Sequence, residues 1–190
     1  MPITPLHLAY AWPIKMRYRS LNFGALTIGS MIPDVEVVLF FLFGIHPNRL
    51  VTHSLLGAFT VDPVLTIIAC YILHRLRVNR IGIAGFEVFR VDGKFVFSAI
   101  AGVLTHVLVD YTHHEFNPVL WPFGPTYIVG PLVEVVGVLG AHAIAHAASL
   151  LILLYLVKIL LKRKGKGLGI LLSNPRLALE LVTGMLSSSH

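Results

Sequence analysis

Gly102-Val-Leu-Thr-His-Val-Leu-Val-Asp-Tyr-Thr-His-His114 is an apolar run interrupted by His106, Asp110, His113 and His114. Side chains four residues apart lie above one another on one helix face. The run therefore predicts an apolar helix from which an imidazole, His106, and a carboxylate, Asp110, point the same way. Such groups are costly in an apolar setting unless something meets them, so the rest of the chain is expected to bring partners to this face.

The composition sets the setting. The 190 residues are 56% hydrophobic and 13% charged, with mean hydropathy +0.80. Soluble domains lie near about 45–50% apolar and about 25% charged, and a chain this apolar would expose large apolar patches in water. An all-α integral membrane bundle is the expectation. The net charge of +6 does not point to nucleic acid, because the Lys and Arg residues cluster beside apolar stretches, as the positive-inside rule describes. Cys70 is the one cysteine, which excludes a disulfide framework and a thiolate metal site. The N-terminal order, apolar first and basic afterwards, is the reverse of a secretory signal.

Four spans are expected, over residues 23–45, 50–73, 95–111 and 131–161. Pro33 breaks or kinks the first, Asp62-Pro63 falls near the middle of the second, and the fourth is one long helix or two merged ones. Residues 1–14 are too short to span, since a spanning helix needs about 20 residues, and form a re-entrant or interfacial half-helix. Residues 87–97 alternate around Asp92-Gly93, which reads as a small β-hairpin. Asn174-Pro175 starts an amphipathic C-terminal interfacial helix. This gives a membrane-embedded domain over 1–164 and an interfacial helix and tail over 165–190. Basic clusters fall before the first span, between the second and third, and after the fourth. The other two loops hold one basic residue, Arg49. Both termini are then cytoplasmic, in a multi-pass plasma-membrane protein.

Asp34, Glu36, His53, Asp62, His106, Asp110, Glu134, His142 and His146 all lie in or near these spans. An Asp at a span centre costs about 2.5–3.5 kcal/mol on insertion scales, so the groups are expected to face one another. At about 1.5 Å per residue, Asp34 and His106 each lie roughly 17 Å from the basic side, with Asp110 one turn farther out. His142 and His146 lie at roughly 30 and 24 Å by the same measure. All can meet in the outer half of the membrane, and His7 joins them if residues 1–14 dip back as a half-helix surrounded by protein. Histidine and carboxylate without cysteine suit Zn²⁺ or another first-row divalent ion. Asp110 could bridge two ions, and a cation also lowers the pKa of a water to about 7.

Each residue also has a plainer reading. Asp34 could cap a helix restarted at Pro33, Thr52 and Ser54 could make His53 part of a helix start, and Asp62 could be a cap. His113 and His114 could be polar loop groups, and His142 and His146 sit on an Ala-rich helix suited to close packing. Glu134 is either a catalytic base or a buried hydrogen-bonding partner. Trp121 and Phe123 read as an aromatic belt, and as candidate substrate contacts near the mouth of the site.

Thr52-His53-Ser54-Leu55-Leu56, the run Gly29-Ser-Met-Ile-Pro-Asp34, and Thr105-His106 with Asp110, ending in Leu120-Trp-Pro-Phe123, resemble the YdjM-type membrane-bound metal-dependent hydrolases. The resemblance covers roughly residues 1–123. Where that family often carries a second aspartate two residues after the first, this chain has Glu36. The order His, Asp, His, His-x-x-x-Asp, His is also similar to the zinc-dependent phospholipase C and nuclease group, helical proteins with a three-zinc cluster. That similarity implies His7, Asp34, His53, His106 and Asp110 as metal ligands. The group closes its last site with His-x-x-x-Glu, where this chain offers His142-x-x-x-His146; these two, and separately His113 and His114 at the end of the opening run, are candidates for additional metal. The expected function is a metal-dependent hydrolase carrying two or three ions, with Asp34 and Glu134 as candidate catalytic groups. It would act on an ester, foremost a phosphoester, of a lipid or other amphiphile. An ion or metal transporter, or a scaffold with a structural metal, are the alternatives.

Overall fold

The computed structural model describes residues 4–75 and 89–163. All regular structure among them is helical. A 3-10 turn, Thr4–His7, leads into α1 (Leu8–Arg17); α2 (Phe23–Gly29) and α3 (Pro33–Phe43) follow, then α4 (Leu55–Phe59), α5 (Val61–Arg75), α6 (Gly93–His113) and α7 (Pro131–Arg163). Three helical stretches are long and apolar enough to cross a membrane: Phe23–Phe43, Gly93–His113 and Pro131–Ile159. Their outward faces are bare hydrocarbon, with Phe41 78%, Val135 81% and Leu139 86% exposed, as expected of side chains that meet lipid.

The first stretch bends where Pro33 predicts. Pro33 is the first residue of α3, where its missing N–H costs nothing, and Gly44 ends α3 in a left-handed conformation that suits glycine. The stretch over residues 50–73 differs from expectation. Among the described residues it is a short α4 and, after a break at Thr60, a 15-residue α5, shorter than the roughly 20 residues a single crossing needs. Asp62-Pro63 belongs to the first turn of α5 rather than to the middle of a span, as suits a proline that cannot donate inside a helix.

No hairpin forms over the described part of residues 87–97. Asp92 accepts from Phe95 N at 2.9 Å and is the N-cap of α6. Asp-Gly is a turn signal and Asp a cap signal, and here the cap prevails. The expected C-terminal interfacial helix, and the first residues of the proposed hairpin, lie outside the described residues. α7 is two helical pieces joined at Gly137, whose φ of 73° and ψ of 171° are open to glycine.

α2 and α6 share the most extensive interface, and glycine explains it. A Cβ on Gly102 would collide with the backbone of Leu26 and Ser30, and one on Gly29 with that of Ala99. Small residues let helix backbones approach this closely in apolar surroundings. The N-terminal half-helix is held from the other side. Trp12 packs with Phe23 and Leu156, and Tyr10 Oη is 2.8 Å from Ser149 Oγ on α7. α1 therefore packs against α2, α6 and α7, which carries His7 into the interior.

Candidate metal centre

The close approach of α2 and α6 sets the first ligand pair. His106 donates from Nδ1 to Ser30 O at 2.9 Å, a carbonyl just past the end of α2. With Nδ1 committed, Nε2 keeps its lone pair. It stands 3.8 Å from Asp34 Oδ1 and 3.5 Å from Asp110 Oδ2. Asp34 lies in the first turn of α3, so the break at Pro33 is what turns its carboxylate inward.

Asp110 is the hub. Its Oδ2 lies 3.5 Å from His106 Nε2, 3.7 Å from His114 Nε2 and 3.8 Å from His53 Nε2. Its Oδ1 lies 3.9 Å from His113 Nε2 and 4.0 Å from His7 Nε2. His7 also stacks on His106 with ring centroids 4.0 Å apart, so the N-terminal histidine does reach the site. These separations are too long for hydrogen bonds, which run about 2.7–3.2 Å. They approach the roughly 3.3 Å between two ligands bound about 2.05 Å from one tetrahedral ion. Three groups bring ligand atoms within 4.8 Å of one another: His7, His106 and Asp110; Asp34, His53 and His106; and Asp110, His113 and His114. Asp110 belongs to two of them and has two oxygens, the arrangement needed for adjacent ions; His106 also belongs to two, but its single free lone pair on Nε2 can serve only one ion.

Burial makes the cluster informative. His7, His53, His106, His113 and Asp110 are each at most 3% exposed. The Nε2 atoms of those four histidines and both Asp110 oxygens have no hydrogen-bond partner. Buried polar atoms are nearly always paired, and an unpaired one costs about 1–3 kcal/mol, more when charged. Nitrogen lone pairs facing carboxylate oxygens cannot satisfy each other, because both are acceptors. A cation satisfies all of them. Burial also pushes the His7 imidazole down to about 3, and desolvation with the Arg49 charge holds His114 well below its ordinary value. Both are neutral at pH 7, the state in which histidine binds metal.

Two residues not assigned a role from the sequence complete the site. Glu36 accepts from Leu50 N and Val51 N, both at 2.9 Å, from Thr52 Oγ1 at 2.8 Å, and from His53 Nδ1 at 3.2 Å. It folds the loop after α3 and fixes the His53 tautomer so that Nε2 faces Asp110, the carboxylate–histidine arrangement that orients metal-binding imidazoles. Arg49 is 5% exposed, with Nη1 3.5 Å from Asp110 Oδ2 and Nη2 3.1 Å from His114 Nε2. Its signal in the sequence is its placement, as the lone Lys or Arg in loops otherwise without one.

The remaining candidates scatter. His142 Nε2 is 3.1 Å from His114 Nδ1, at the margin of the cluster. His146 is one turn away, its Nδ1 donating to His142 O at 2.6 Å. Glu134 is exposed at the start of α7 and joins none of the described His and Asp groups. The expected burial of Glu134 is thus not met, and the turn at Gly137 separates it from the helical piece carrying His142. Phe123 is 88% exposed; with Trp121, Leu55, Leu56, Phe59, Val119 and Leu120 it lines an apolar groove of about 350 Å³. Asp62 is fully buried with neither carboxylate oxygen hydrogen-bonded, outside the three ligand groups.

A family described as a domain of unknown function, DUF4184, matches residues 1–80, less than half of the chain. The match takes in His7, Asp34, Glu36, Arg49 and His53 and stops short of His106 and Asp110. No curated protein and no solved structure matches the chain.

Proposed function

We propose that the protein is a membrane-embedded metal-dependent hydrolase acting on an ester, foremost a phosphoester, of a lipid or other amphiphile. The observation that carries this reading is the set of buried, mutually facing acceptors around Asp110. His7, Asp34, His53, His106 and Asp110 would hold the ions, with His113 extending the set; Zn²⁺ is the first choice on ligand type. A divalent ion held there would supply a water acidic enough to lose its proton near neutral pH. Asp34 would be a ligand and the nearby carboxylate to take up a proton, Glu36 keeps His53 in register, and the apolar groove beside Leu55 would receive hydrocarbon. The sequence resemblance at residues 29–34, 52–56 and 105–123 supports the same class.

The reading includes α4 and α5 as a broken fourth crossing, with both termini cytoplasmic in the plasma membrane. Purified protein should contain stoichiometric transition metal, and His106→Ala should lose the metal and the hydrolysis together. Protein that binds no such metal would sink the proposal. Metal flux into liposomes that depends on Asp34 and Asp110 would favour a transporter instead.

A further inference from the structure

The cluster contains one group that a pure cation site should exclude. Arg49 is a permanent cation, 5% exposed, 3.5 Å from the carboxylate oxygen that would bind metal. At this range in a shielded site it repels a divalent ion and competes for Asp110. A buried guanidinium also carries five N–H donors. The described contacts give it one hydrogen bond, to His114, and one ion pair, to Asp110. Arg49 further lines a cavity of about 240 Å³ with Asn48, His114, Phe116, Val138 and His142. That cavity is separate from the apolar groove beside Leu55.

Hydrogen-bond direction along this wall is fixed by the arginine. Arg49 can only donate, so His114 Nε2 accepts and His114 Nδ1 bears the proton. Nδ1–H then donates to His142 Nε2, 3.1 Å away, and His142 keeps its own proton on Nδ1. The wall offers the remaining guanidinium N–H groups and the His142 Nδ1–H around a fixed positive charge, against a cluster of acceptors on the other side of Asp110. Glu115 also lines the cavity, but it is exposed and water screens its charge.

We propose that Arg49, held in place by His114 and flanked by the Nδ1–H of His142, forms an oxyanion site that receives the phosphoryl group of the substrate from the cavity side, next to the metal ligands. This rests on the hydrolase reading and specifies its substrate as a phosphate ester. The planar guanidinium pairs two phosphoryl oxygens at once. An arriving anion also relieves the repulsion between Arg49 and bound cations, so phosphate and metal bind cooperatively at neighbouring positions.

The test is binding of inorganic phosphate to the full-length protein in detergent, by calorimetry, with elemental analysis of the same samples. Wild type is expected to bind phosphate in preference to acetate. Arg49→Gln should weaken phosphate about 10- to 100-fold while metal content stays at the wild-type level, since a competing cation has been removed. Arg49→Lys keeps a charge opposite Asp110 and serves as the variant least prone to misfold. It should retain metal and bind phosphate at an intermediate level, because a point charge replaces the fork. Nanodiscs of phosphatidylcholine with and without phosphatidic acid assign the source. Displacement of phosphate by phosphatidic acid supports the site as one for a lipid headgroup, and no displacement supports it as one for a soluble phosphate ester. Wild type that binds no phosphate, or binds acetate equally well, overturns the proposal. So do Arg49 variants that bind phosphate like wild type, and variants that lose phosphate only together with metal. If wild type holds no metal yet Arg49→Gln abolishes phosphate binding, the oxyanion site stands and the metal reading fails.

Discussion

The two sides of Asp110 treat histidine differently. On the inner side His53, His106 and His113 each commit Nδ1 to a fixed acceptor, respectively Glu36, Ser30 O and Val109 O. Their Nε2 atoms are left buried and unpaired. On the outer side His114 and His142 hydrogen-bond each other, His114 accepts from Arg49, and His146 Nδ1 donates to His142 O. The same side chain therefore leaves a buried, unpaired acceptor in one place and is part of a hydrogen-bond chain in the other. What separates them is the partner on the second ring nitrogen, together with the presence of a guanidinium.

The contrast breaks most severely at the shared residue. Asp110→Asn keeps the shape but removes the charge that every inner imidazole faces, and should lower metal affinity by more than about 100-fold, the upper range for an outer-shell partner. Equilibrium dialysis with zinc measures this; an unchanged affinity would mean that Asp110 is a structural hub. Glu36→Gln should cost about 10- to 100-fold in the same assay, because His53 loses its anchor while remaining in place. The stability of metal-free protein gives a third check. His7 titrates near 6.5 when unfolded and about 3 when folded, so between these values the unfolded chain binds more protons. Stability should fall as pH drops through that window and level off above it. Thermal melts of metal-free and zinc-loaded protein, the latter steeper in its pH dependence because zinc competes with protons, would show it. The smallest effect belongs to His146→Ala, which should leave zinc content unchanged and affinity within a few-fold; a loss matching that of His106→Ala would erase the distinction between the two sides.

Much of the inner side was legible because helix periodicity is local. His106 and Asp110 share a face by spacing alone, and counting residues along the spans matched the depth of Asp34 to that of His106. Residue type argued for a hard or borderline metal without thiolate. The outer side was less legible because its members come from a loop, the end of α6 and the separate helix α7. Nothing in the spacing between Arg49 and His114 shows that their side chains lie 3.1 Å apart. Glu36 was seen as an acidic residue near Asp34, yet its role depends on the loop at residues 50–53 folding back over α3. The Asp92-Gly93 hairpin was misread for a related reason, since cap and turn share the same residues and the following helix decides between them.

The sequence by itself determined the membrane-like character, the helical class, the break at Pro33 and the one-sided polar face of α6, because hydropathy and 3.6-residue periodicity are properties of neighbours along the chain. Tertiary structure alone decided that His7 reaches Asp110, that Glu36 orients His53, that Arg49 enters the site, and that Glu134 stays outside. Those outcomes depend on where the close glycine-lined contact of α2 with α6, the Trp12 anchor of α1 and the turn at Gly137 put groups distant in sequence. No local pattern encodes such distances.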